Sequence, residues 1–138
     1  MGVPAALVVV CWAIALSGVD LRERRLPSAL TIPGAVVIPV GAAVAGRGLP
    51  ALLGGLGLAA LYLLVHLVAP AAMGAGDVKL ALGLGALTAA FGIGVWALAA
   101  LGAPVLTTVA GLVRRRGGAI PHGPAMCLAS LVAVAAGW

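Results

Sequence analysis

The chain has 138 residues, 64% of them hydrophobic and 8% charged, with a formal net charge of +5. A soluble domain of this size carries about 25% charged residues, and the eight basic and three acidic side chains present cannot cover such a surface. Composition therefore excludes a water-soluble globule, and a mean hydropathy of +1.26 points to a protein solvated by lipid.

Inside a bilayer every backbone N–H and C=O must be bonded within the protein, which leaves helices or a closed barrel. Barrel strands alternate apolar with polar residues, whereas the apolar runs here are continuous, so an all-α, polytopic membrane bundle is expected. Six segments are predicted in one domain, at about residues 3–19, 28–46, 50–70, 78–93, 95–113 and 119–137. Most reach the ~17–25 residues that cross a hydrocarbon core. The fourth, of roughly 16 residues and ~24 Å, requires a thinned bilayer or a start below the interface.

The first segment has no basic residues ahead of it, and Arg22, Arg24 and Arg25 follow it. That order marks a first span with its N-terminus outside, not a cleaved leader. Gly2 is no myristoylation site, because Ala6 stands where Ser or Thr is needed. Pro27 then precedes Ser28, which is expected to cap the second span. Gly46-Arg47-Gly48 and Phe91-Gly92-Ile93-Gly94 read as external turns. Gly117-Gly118, Pro121 and Pro124 predict a stiff, non-helical loop before the sixth span.

Seven of the eight basic residues fall in three places: Arg22, Arg24 and Arg25; Lys79; and Arg114, Arg115 and Arg116. These are alternate loops, so if they are cytoplasmic, both termini lie outside and only Arg47 is external. Their positions beside apolar runs read as topology signals and lipid contacts, not a nucleic-acid footprint. Cys11 and Cys127 lie within apolar runs, with no CxxC or Cys/His ligand set. They read as small buried hydrophobes, and no metal or cofactor is expected. Trp12, Trp96 and Trp138 read as interface anchors or packing residues.

Three acidic residues remain. Glu23, among arginines, reads as a solvated partner of Arg22 or Arg24. Asp20 and Asp77 each fall where a span meets an inner loop, 57 residues apart in sequence yet at similar depth. Asp77 lies in Met73-Gly74-Ala75-Gly76-Asp77-Val78-Lys79-Leu80, whose glycines permit close approach of another chain. It is either an N-cap for the fourth span or a deliberately placed carboxylate, and the two readings are compatible. Ala81, Gly85 and Ala89 follow on one helix face, a small-residue stripe onto which the first span is expected to dock.

Two carboxylates ~4 Å apart, at an effective dielectric near 20, repel by about 4 kcal/mol. One then keeps its proton near neutrality. The ionised partner can activate water while the protonated one polarises a peptide carbonyl and later donates to the leaving amine. A proton or cation relay in a small transporter or assembly subunit would use the same pair without cleaving a bond. Lys79 has three readings: it lowers the pKa of one aspartate, meets an acidic substrate side chain, or snorkels to lipid headgroups. His66 reads as interfacial packing. His122, in Ile120-Pro121-His122-Gly123-Pro124, lies near the inner face without a carboxylate or metal partner in sequence.

Three segments together resemble the type IV prepilin peptidase family, membrane aspartyl proteases with a GxGD motif. Asp20-Leu21-Arg22-Glu23-Arg24-Arg25-Leu26-Pro27 is similar to the family's Asp, basic loop and Ile-Pro-Asn. Gly74-Ala75-Gly76-Asp77-Val78-Lys79 matches GxGDxK at every fixed position. Ile120-Pro121-His122-Gly123-Pro124 is similar to a closing Ile-Pro-aromatic-Gly-Pro. The resemblance implies that Asp20 and Asp77 are the catalytic aspartates, with Gly74, Gly76, Lys79 and Pro27 as supporting motif residues. It also implies cleavage of the short basic leader of prepilin-like substrates at the cytoplasmic face of the cell membrane. Longer family members carry an N-terminal domain with a cysteine cluster and N-methylate the trimmed pilin. This chain starts at its first span, so a single domain over 1–138 without methyltransferase activity is expected, similar to the short Flp/Tad-type or preflagellin peptidases. Ser28 and His122 depart from the family pattern. The arginines just after Asp20 place the expected site nearer the inner interface than in presenilin-like proteases that cut within the bilayer.

Overall fold

A computed structural model describes residues 2–71, 73–114 and 120–138. Six helices follow in chain order: α1 (Val3–Glu23), α2 (Ser28–Val44), α3 (Gly48–Val68), α4 (Ala75–Ala90), α5 (Ile93–Arg114) and α6 (Gly123–Gly137). The described residues contain no strand. By length and hydropathy α1, α3 and α5 can each cross a membrane, while α2 and α6 are shorter apolar helices. Large aliphatic side chains such as Val8, Val37, Leu64 and Leu101 stand exposed on the outer faces. Lipid tolerates such a surface and water does not.

The helix boundaries follow local chemistry. α1 begins on Pro4 in its first turn and ends where Arg24 turns left-handed (φ 55°), its N–H bonding the Asp20 carbonyl. α2 starts directly after Pro27, whose ring cannot donate into the helix but suits its entry. Ser28 is the first helical residue, not the cap expected of it, because Pro27 already occupies the capping position and no side-chain cap bond forms. At the opposite end Gly46 (φ 79°) and Gly92 (φ 127°) take conformations that suit glycine alone. Arg47 donates to the Ala90 carbonyl at 2.8 Å, so it caps α4 and joins these two turns at one end of the bundle.

α4 is the central helix. Leu80, Ala81 and every residue from Gly83 to Ala89 are buried, and α2, α3, α5 and α6 all pack on it. Against α3 the backbones touch. A Cβ on Gly54 would sit 2.1 Å from the Ala89 Cβ, and one on Gly85 would sit 2.5 Å from the Gly54 carbonyl oxygen. Trp96 completes this seam by donating to the Gly54 carbonyl at 3.0 Å. Gly85 and Ala89 of the small stripe thus meet α3, which corrects the expectation that the stripe receives α1. A stripe states that some helix comes close, not which one. α1 lies against α6 and the edge of α2 instead. Trp12 covers Gly34 and donates to the Leu30 carbonyl at 2.7 Å.

Candidate active site

The end of the bundle opposite Arg47 gathers the polar residues. α1 runs past the expected boundary at 19, so Asp20 lies within its last turn and not at its junction with the loop. Its residue is 4% exposed, and its Oδ2 accepts the Gly123 N–H at 3.0 Å. This bond works only because residue 123 is glycine: a Cβ there would stand 2.5 Å from Oδ2. α6 therefore starts at Gly123, four residues later than the apolar run suggests, with its first turn aimed at Asp20. The free N–H groups of a helix start suit an anion at that point.

Asp77 is the third residue of α4, because the helix already begins at Ala75. Gly74 is the cap, and Asp77 Oδ2 reaches back to its N–H at 3.4 Å, so the carboxylate supports the helix start without being the N-cap itself. Ahead of it His66 bonds the Met73 carbonyl through Nδ1, which ties the loop after α3 to the start of the GxGD segment. His66 thus has a defined bond beyond general packing. At Gly76 a Cβ would lie 2.8 Å from the Leu26 Cβ and 3.1 Å from the Leu26 carbonyl oxygen. Leu26, 9% exposed, also lies 3.2 Å from where a Cβ of Gly123 would be. It is wedged between the two glycines that hold the two aspartate segments. In the sequence Leu26 is marked only by its place before Pro27, at the end of the segment that follows Asp20.

The segments carrying Asp20 and Asp77 thus share one end of the bundle, through Leu26 and α6. The two carboxyl groups lie within electrostatic reach of each other, and Cys127 on α6 lies within reach of both. Lys79 is not brought onto either aspartate. Its Nζ donates to Ser28 Oγ at 2.7 Å and fastens α4 to the start of α2. Pro27 supports that start through its carbonyl, which accepts the Thr31 hydroxyl at 3.3 Å. Glu23 pairs with Arg25 at 3.6 Å on the surface, not with Arg22 or Arg24 as expected, because the left-handed Arg24 turns the chain there. Arg115, Arg116, Gly117 and Gly118 lie outside the described residues.

Two polar residues beside the site carry no sequence signal. Tyr62 on α3 and Thr107 on α5 both bond the His122 ring, Tyr62 at 3.1 Å to Nε2 and Thr107 to Nδ1. The Tyr62 hydroxyl is also within electrostatic reach of Asp77. Burial holds the His122 imidazole below its ordinary value, so it is neutral at pH 7. The described residues contain no cluster of three or more groups able to hold a metal ion.

A buried carboxylate fixed by a backbone N–H, with a second carboxyl in electrostatic range, is equipped for acid–base chemistry on a bound molecule. Neither the comparison with curated proteins nor that with solved structures returns a match. The model of the type IV leader peptidase family matches residues 7–136, nearly the whole chain. The matched region takes in both aspartate segments and the Gly123 turn, and the chain belongs to the type IV leader peptidase family.

Proposed function

We propose that the protein is an aspartic endopeptidase that removes the short basic leader of prepilin-like proteins at the cytoplasmic face of the cell membrane. Asp20 and Asp77 form its catalytic pair. The observation that carries this reading is the convergence of both aspartate segments, 57 residues apart in sequence, on one end of the bundle with Asp20 pinned by Gly123. The basic residues flanking these segments support a cytoplasmic site, since a basic leader is itself retained on that side. Both termini then lie outside.

The two aspartates have different surroundings, and this divides their roles. Asp20 accepts a 3.0 Å bond from the buried Gly123 N–H, which holds its carboxylate in place. Asp77 accepts only a 3.4 Å contact from Gly74. Asp20, the more firmly held carboxylate, is assigned as the base that takes a proton from water. Asp77, protonated, bonds the scissile carbonyl oxygen and later gives its proton to the departing amine. One proton shared by the pair supplies both roles. Gly74 and Gly76 shape the approach to Asp77, while Lys79 and Pro27 hold the α2–α4 junction beside it.

Co-expression with a prepilin of basic leader, glycine and apolar helix tests the proposal. The expected result is a pilin of reduced mass with the unsubstituted protein. With Asp20→Asn or Asp77→Asn, full-length prepilin is expected although the variants still accumulate in membranes. Processing that survives either substitution removes that carboxylate from the mechanism. Proton-driven flux in vesicles with unaltered pilin mass would favour the ion-relay reading instead.

A further inference from the structure

The Ala103 carbonyl, 3.0 Å from Thr107 Oγ1, can only accept that hydroxyl's single hydrogen. With the hydrogen placed there, the contact with His122 Nδ1 runs the other way, with Nδ1–H donating to Thr107 Oγ1. In a neutral imidazole that leaves Nε2 as the acceptor, and Tyr62 supplies the O–H at 3.1 Å. The chain of bonds then runs one way: Tyr62 to His122, His122 to Thr107, and Thr107 to the backbone of α5. The Tyr62–His122 rings, 5.6 Å apart and tilted by 52°, pack as well as bond. Burial of the ring favours the neutral form that this direction requires.

His122 is the residue immediately before Gly123 and the capping position of α6. Clamping its ring from α3 on one side and α5 on the other fixes the first turn of α6, and that turn carries the N–H bonded to Asp20. The fit is tight, since the Gly123 Cα has no room for even a methyl group beside Asp20. A small rotation of this turn changes the length and angle of the bond that holds the Asp20 carboxylate. We infer that His122, held in the Nδ1–H tautomer between Thr107 and Tyr62, is a positioning residue that keeps the Gly123 N–H on the Asp20 carboxylate. This deepens the proposed function and rests on it for the catalytic consequence. His122 touches neither water nor substrate in this role, and acts through Gly123.

The tautomer is measurable without any activity. In protein labelled with ¹⁵N-histidine in bilayers, the His122 signal, assigned by its loss in His122→Leu, should show a protonated Nδ1 and an unprotonated Nε2 at pH 7. Tyr62→Phe should shift the Nε2 signal by removing its partner. A protonated Nε2, or an Nε2 signal indifferent to Tyr62→Phe, overturns the clamp. In leader cleavage, His122→Leu is expected to lower kcat by about tenfold with KM changed by less than about twofold. Tyr62→Phe should cost less, and the double variant should be no slower than His122→Leu, because both changes break one chain. His122→Gln, which keeps a donor and an acceptor, should recover part of the rate even if His122→Leu folds poorly. Losses that multiply in the double variant, or full activity in His122→Leu, overturn the positioning role. If the unsubstituted protein cleaves no leader, the proposed function fails, and the tautomer measurement still decides the clamp.

Discussion

The α3–α4 seam and the polar end of the bundle both depend on glycine, for different reasons. At the seam, Gly54, Gly55 and Gly85 let one backbone rest on another, with carbonyl oxygens at the positions where Cβ atoms would project. At the polar end, Gly123 makes room for a carboxylate and Gly76 for the Leu26 segment. The first arrangement builds a scaffold from dispersion contacts and helix-to-helix proximity, the main source of association available in lipid. The second spends the same lack of a side chain on exposing an N–H to an acid group. Substitution at the seam should therefore read out as lost stability, and substitution at the polar end as lost rate.

Of the substitutions that separate seam from site, Gly123→Ala gives the largest expected effect. Its methyl group meets Asp20 Oδ2 at 2.5 Å, so the carboxylate or the start of α6 must shift. Leader cleavage should fall by about a hundredfold, the scale associated with displacing a reacting group by ~1 Å, while detergent-solubilised protein melts near the unsubstituted value. Gly54→Ala should do the opposite. Its methyl would meet Ala89 Cβ at 2.1 Å and the Gly85 oxygen at 2.7 Å, neither of which can yield. A destabilisation of about 1–3 kcal/mol is expected from such overpacking, read as a lower melting temperature, with cleavage per folded molecule little altered. Lys79→Met removes the bond to Ser28 Oγ and should cost about 1 kcal/mol or less, with the base and acid untouched. Gly18→Ala should be close to silent, within about 0.5 kcal/mol, because nothing lies within 4 Å of its added methyl group. If Gly123→Ala mainly lowered the melting temperature, or Gly54→Ala mainly lowered the rate of the folded fraction, the division between scaffold and site would be wrong.

Gly18 and Gly54 also show how far the sequence is legible. Both are glycines inside apolar runs, yet one faces open space and the other touches the neighbouring helix. Apolar runs determine that helices form and in what order, because the bilayer leaves the backbone no other choice. The six helices were therefore readable, as was the coincidence of Asp20 and Asp77 at one end. Boundaries were less so. The extension of α1 through Asp20 and the start of α4 at Ala75 carry both aspartates into helices, since Asp20 and the Gly-Ala-Gly segment are compatible with helix once tertiary contacts support them. The late start of α6 reflects Pro121 and Pro124, which outweigh the hydrophobicity of the residues around them. Partner choice was not readable at all. Gly85 and Ala89 of the stripe below Asp77 meet α3, and Tyr62, Thr107 and His122 come together across 60 and 15 residues of chain. Such meetings depend on how six helices pack as a set.

The central claim is that residues 20 and 77 serve one site on one side of the membrane. It is tested most directly by Asp20→Cys and Asp77→Cys in a background with Cys11→Ala and Cys127→Ala, in sealed vesicles of known orientation. The expected result is that an impermeant maleimide applied to the cytoplasmic side reaches both positions, and that a short bismaleimide joins them within one molecule. Labelling of the two positions from opposite sides, with no internal bridge, would contradict it.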